Sequence, residues 1–144
     1  MAMMRVIFVG SPSAHYRSIE EDLVRKLRML MKIEIFQVAE KSLPADRRLK
    51  EEAKRIDRLL KGKSYVTDPK GILINDDFML SIVKRSLYDD ISIVVGGPYG
   101  VSPSVRGERI SFSKLVFTHD LFRIMLLEQI YRQTLAIKGV RYKK

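Results

Sequence analysis

Two segments of this chain carry residues whose types and order could handle a small ligand. The first is Ile91-Ser92-Ile93-Val94-Val95-Gly96-Gly97-Pro98-Tyr99-Gly100, a β-prone run that stops in a glycine-proline turn. Glycine has no Cβ, so a ligand can approach main-chain N–H and C=O groups closely there. The second is Ser111-Phe112-Ser113-Lys114-Leu115-Val116-Phe117-Thr118-His119, which runs directly into a long apolar helix. Together they predict a cofactor pocket made of loops at strand ends.

Other chemistries lack their signatures. No G-x-G-x-x-G follows a strand, and neither a Walker loop nor a G-x-S-x-G elbow is present. His15 and His119 lack the spacing of a metal pair, so no metal site is expected. The chain has no cysteine, which removes disulfides, thiolate zinc sites and cysteine nucleophiles. Scattered carboxylates offer no obvious acid/base pair.

At 144 residues and 46% hydrophobic, the chain is expected to fold as one domain over 1–144 with a proper core. The opening Met1–Gly10 reads as a first strand rather than a signal peptide. With no run near the roughly 20 apolar residues of a membrane span, a soluble, cytoplasmic protein with no membrane partner is expected. The formal net charge is +10, and its distribution matters more than its sum. Segment 46–63 holds eight basic residues against four acids, and segment 138–144 holds four basic residues and no acid. Clustered positive charge is the electrostatic footprint of a nucleic-acid partner.

Short β-rich runs alternate with helical periods along the chain, which implies an α/β fold with a mainly parallel sheet flanked by helices. Strands are predicted at Arg5–Val9, Lys32–Val38, Ser64–Thr67, Ile91–Val95 and Lys114–Phe117. Ser18-Ile19-Glu20-Glu21 has the form of a capping box opening a first helix. Leu49, Ala53, Ile56 and Leu60 mark a second, and Asn75 or Asp76 can cap a third. Ser102-Pro103 suggests the start of a short fourth helix. The last helix, from about Asp120 to Ile137, is apolar on most faces, so a second subunit is expected to cover it in a homodimer.

The order of the glycine loop, the Ser-x-Ser run, His119-Asp120 and Leu127-Glu128-Gln129-Ile130-Tyr131-Arg132 resembles the RlmH family. These are S-adenosylmethionine-dependent rRNA methyltransferases of the SPOUT class. The resemblance extends to Val9-Gly10 and to Thr67-Asp68-Pro69-Lys70-Gly71, and so covers nearly the whole chain. It implies a C-terminal trefoil knot, a dimer, and methylation of N3 of a pseudouridine in large-subunit rRNA on the assembled ribosome. It places S-adenosylmethionine against Thr67, Gly97, Ser113, Lys114, Leu115, Val116, Phe117 and Thr118. His119, Arg132 and Tyr142 take the catalytic positions. The chain departs from the family pattern at Asp120, where proline or glycine is usual, and at Lys143, where histidine is usual. A methyltransferase for another RNA and a non-catalytic RNA-binding dimer are the alternatives.

Overall fold

Strands β1 (Met4–Val9) and β4 (Ile91–Val95) are near-continuous apolar runs lying side by side inside the sheet. Runs of this kind belong to parallel strands covered by helices on both faces. The computed structural model describes residues 2–141 and adds β2 (Ile33–Val38), β3 (Lys63–Leu73) and β5 (Glu108–Ser111). All five strands pair in parallel, in the order β2-β1-β4-β3-β5. Four helices flank them: α1 (Ala14–Leu30), α2 (Ala45–Leu59), α3 (Asp76–Ser86) and α4 (His119–Ile137). The expected α/β class holds.

Strand periodicity divides the core in two. Met4, Val6, Phe8, Ile91 and Ile93 meet Leu27 of α1, Ile82 and Val83 of α3, and Leu126, Leu127 and Ile130 of α4. Ile7, Val9, Val66 and Val94 face the other way, onto Ala53 and Ile56 of α2 and onto Val105. Helices α1, α3 and α4 therefore share one face, and α2 covers the other with the segment around Val105. Part of the cover expected of a second subunit over α4 comes from within the chain, from α1 and α3.

Several elements differ from expectation. Helix α1 begins four residues ahead of Ser18, with Ser13 at the cap position, so the capping-box serine is an exposed residue inside the helix. Residues 102–105 form a turn closed by Val105 N–H to Ser102 C=O at 3.0 Å, and no helix starts there. Arg109 explains this: its guanidinium donates to the carbonyls of Ser102, Val105 and Gly107, which keeps them out of a helical ladder. The fifth strand is Glu108–Ser111, whereas Lys114–Phe117 is an unpaired loop.

Strand β3 is longer than expected because the Thr67–Gly71 turn lies within it as a bulge. Thr67 and Ile72 both register with Ile110, leaving the residues between them looped out. The Asp68 carboxylate accepts from Lys70 N–H at 2.9 Å and folds that loop. A Cβ on Gly71 would stand 2.6 Å from the backbone of Arg109 and Ile110, so only glycine lets β5 approach so closely.

Candidate active site

The bulge within β3 meets the loops beyond the carboxyl ends of β4 and β5, and strand ends of this kind are the usual place for a ligand in an open parallel sheet. Between them lies a cleft of about 260 Å³, just below the roughly 300–1,000 Å³ of small-molecule sites. The β3 bulge contributes Thr67, Asp68 and Pro69, and the glycine loop contributes Gly96, Gly97, Pro98 and Gly100. Ser111 to Ser113, Leu115 to Phe117, His119 and Phe122 complete the wall.

Local backbone chemistry explains each wall. Gly100 N–H bonds Gly97 C=O at 3.0 Å, closing the glycine loop, and Gly100 holds φ +76°. A Cβ on Gly96 would come within 2.6 Å of Gly100 O, so the turn can be this tight only with glycine there. Thr67 donates its hydroxyl to Val94 C=O at 3.0 Å and locks the bulge to the end of β4. Ser111 donates to Ser113 C=O at 2.8 Å, and Ser113 Oγ accepts from Leu115 N–H at 3.0 Å. Those two bonds fold the strand-like sequence into a loop, leaving Leu115 and Val116 70% and 78% exposed at its rim. Phe112 and Phe122 pack edge to face at 5.0 Å behind it.

The structure brings together Thr67, Gly97, Ser113, Leu115, Val116, Phe117 and His119 from the sequence-predicted set. Lys114 and Thr118 lie on the same loop without lining the cleft, and Thr118 is the N-cap residue of α4. Asp120 is therefore in the first helical turn rather than at the cap, and its carboxylate accepts from Ser13 N–H at 3.3 Å. Arg132 stands away from the cleft of its own chain, about 20 Å from His119 at the helical rise. Its guanidinium pairs with Glu128 one turn earlier, at 3.1 Å. Tyr142 lies outside the described residues.

Sequence reasoning missed two features that hold the site. Buried Arg123 of α4 forms a two-pronged pair with buried Glu20 of α1 and donates to Gly10 C=O at 3.0 Å. Its guanidinium also lies 4.1 Å from the centroid of the Phe8 ring. Nothing local in the sequence signals a contact between positions so far apart. The second is a group of charges outside the glycine loop. Glu40 lies over Gly10 and Gly97, since a Cβ on either would meet its Oε1 at 2.6 and 3.4 Å. Burial pushes the nearby Glu52 carboxyl above its ordinary value; Arg48 opposes the shift and Glu40 adds to it.

The wall offers main-chain donors and acceptors beside apolar side chains, which suits a ligand with a flat heterocycle and a polar edge. Among the described residues no group of three or more His, Cys, Asp or Glu could hold a metal ion, and no helix is long and apolar enough to cross a membrane.

Comparison with known proteins gives a consistent result. A family model described as "Predicted SPOUT methyltransferase" matches residues 2–143. The chain is 33% identical to Ribosomal RNA large subunit methyltransferase H of Caldicellulosiruptor saccharolyticus, over 99% of this chain and 100% of that protein. The protein of the same name from Thermosipho melanesiensis is 34% identical over 96% of this chain and 97% of its own. That from Mycoplasma mobile is 33% identical over 98% and 99%.

Proposed function

The chain belongs to the SPOUT methyltransferase family, and from that premise we propose that it transfers a methyl group from S-adenosylmethionine to N3 of a pseudouridine in large-subunit rRNA. One observation carries this reading: the glycine loop, the β3 bulge and the 111–117 loop, distant in sequence, converge on one cleft. The relatives' names supply the class of RNA.

The residues present fit the proposed cofactor. Glycine-lined backbone leaves amides and carbonyls within reach of an adenine edge, and Leu115, Phe117 and Phe112 give its faces apolar contact. When bound, S-adenosylmethionine supplies a methyl group already activated on a sulfonium, so the chain has chiefly to align donor and acceptor. The pseudouridine N3 must give up its proton as it takes the methyl group. His119, at the mouth of the cleft, is placed to receive or relay that proton. Lys114 and Thr118 belong to the loop that carries the pocket and are the remaining candidates for cofactor contact. Tyr142 is the remaining catalytic candidate, and Arg132 acts on the target nucleotide in the cleft of a second subunit.

That role requires a homodimer, and α4 has a surface for one. Ile124 and Met125 line an apolar groove with Ile74, Met79 and Phe112. The proposal includes the C-terminal knot, a single domain over 1–144 and a cytoplasmic place of work beside ribosomes.

The test uses methyl-labelled S-adenosylmethionine and ribosomes lacking the modification, with labelled nucleosides identified by mass spectrometry. Label in N3-methylpseudouridine of large-subunit rRNA is expected. Label in another nucleoside redirects the target. Cofactor binding without label in any ribosomal nucleoside removes the ribosomal reading, and no cofactor binding leaves the non-catalytic RNA-binding dimer.

A further inference from the structure

Helix α2 buries Ala53, Ile56 and Glu52 against the sheet, and its opposite face is exposed among the described residues. That face carries Arg47, Lys50, Lys54 and Arg58, spaced three, four and four residues apart. On a helix this spacing makes one stripe. It spans about 16 Å from Arg47 to Arg58, on the order of four nucleotides of one strand. All four side chains are exposed. Of the acids near the stripe, Glu51 is held by Lys54 at 3.5 Å, while Asp46 and Asp57 flank it on one side. Past the helix end lie exposed Lys61, whose ammonium stands 3.7 Å from the Asp90 carboxylate, and exposed Arg106, which donates to Gly62 C=O at 2.8 Å.

The stripe has a direction. Helix α2 follows β2 and runs back antiparallel to it, so its first turn lies at the sheet edge that bears the cleft. There Arg48 donates to Lys41 C=O at 2.7 Å and sets its guanidinium 5.3 Å from the Tyr99 ring centroid. Tyr99 is in the glycine loop between cleft-lining Pro98 and Gly100, and is 54% exposed. The first turn of α2, which carries Arg47 at the head of the stripe, thus also sets Arg48 beside an aromatic ring at the edge of the cleft. Cations along a backbone path with aromatic stacking at its end are how single-stranded RNA is held.

We propose that the outer face of α2 is the track that holds the phosphate backbone of the RNA, with Tyr99, braced by Arg48, as the stacking platform where that track reaches the cleft. This rests on the reading of RNA as the substrate and adds which surface grips it. The four stripe cations give affinity without sequence preference. Tyr99 packs a base flanking the target.

The test compares two variants that lose the same charge. One is R47Q/K50Q/K54Q/R58Q; the other is R25Q/K26Q/K84Q/R85Q, on α1 and α3 across the sheet. Binding of a fluorescently labelled RNA hairpin is followed by anisotropy over a range of salt. Thermal melts and S-adenosylhomocysteine binding confirm that each variant is folded. The α2 variant is expected to lose at least about tenfold in affinity at physiological salt, and its log K against log salt slope to fall by about 3. The control is expected to keep most of both, while Tyr99→Ala loses about fivefold or more with its slope unchanged.

Equal losses in the two quadruple variants, or none in either, overturn the track, because net charge alone then governs binding. Wild-type protein that binds no RNA overturns it as well. If the hairpin binds through α2 but ribosomes receive no methyl group, the track stands and the ribosomal reading falls. If ribosomes are methylated while the α2 variant behaves like the control, the reverse holds.

Discussion

Arg123 and Glu20 are 103 residues apart in the chain, yet their side chains close a two-pronged ion pair at 3.0 and 2.6 Å in the core. The pair joins α4, one turn beyond His119, to α1, and through Gly10 C=O to the end of β1. It fixes where α4 starts, and so where His119 stands at the cleft. Removing one partner leaves the other charge buried, which costs about 3–5 kcal/mol, whereas replacing both with apolar side chains of similar size is often close to neutral. Glu20→Ala should therefore destabilise by about 3–5 kcal/mol in urea unfolding, and E20M/R123M should recover most of that loss. A Glu20→Ala change of under about 1 kcal/mol would show that the pair is solvated rather than buried.

The same pair shows where sequence reading stops. Strands β1 and β4 were legible because buried parallel strands have to be continuous apolar runs. Helix α3 was legible because Asn75 has a cap's chemistry, and its side chain accepts from Phe78 N–H at 3.0 Å. Glu20 was read as part of a capping box, and only the tertiary fold shows it as Arg123's partner. Strand β5 is four residues with two charges and carries almost no periodic signal. The more β-prone Lys114–Phe117 is a loop because Ser113, itself tied through its carbonyl to the Ser111 hydroxyl, accepts from Leu115 N–H. The cleft was legible through the order of its motifs. Its geometry was not, since the β3 bulge exists only by pairing with β5.

Gly96 and Gly100 stand at the two ends of the glycine loop and should respond differently to a methyl group. At Gly96 a Cβ meets Gly100 backbone at 2.6 Å, so the loop must open. At Gly100 nothing lies within 4 Å, but φ is +76°. Left-handed backbone costs an alanine roughly 1–2 kcal/mol. Gly96→Ala should weaken S-adenosylhomocysteine binding by more than about tenfold by calorimetry, and Gly100→Ala by less. The opposite ranking would place the ligand off this loop.

Glu52 gives stability a pH dependence of predictable sign. Burial raises its carboxyl from an ordinary value near 4.5, Arg48 pulls it back, and Glu40 pushes it further. The folded chain therefore holds that proton more tightly than the unfolded chain. Its contribution is fully present below the ordinary value and is lost as pH rises through the raised one. Measured against Glu52→Gln, which cannot ionise, the wild type should lose relative unfolding free energy as pH rises above the ordinary carboxyl value and through the raised one. Parallel pH profiles in urea would mean that water reaches Glu52 Oε2, which has no hydrogen-bond partner in the structure.

His119 lines the cleft and Arg132 stands about 20 Å further along the same helix. One subunit cannot bring both to one nucleotide, so the proposed use of both residues needs Arg132 to serve the cleft of a second subunit. This makes a subunit-mixing experiment decisive. His119→Ala and Arg132→Ala should each be nearly inactive alone while still binding S-adenosylhomocysteine. Mixed in equal amounts and allowed to exchange, half of the dimers are hybrids. In each hybrid, one cleft pairs an intact His119 with an intact Arg132 from the other subunit. Activity should return to about a quarter of wild type, the share expected for a two-fold dimer. If both residues served the same chain's cleft, each subunit would remain defective and mixing would restore nothing. Loss of the recovery when Ile124→Asp is added to both chains would tie the shared site to the groove on α4.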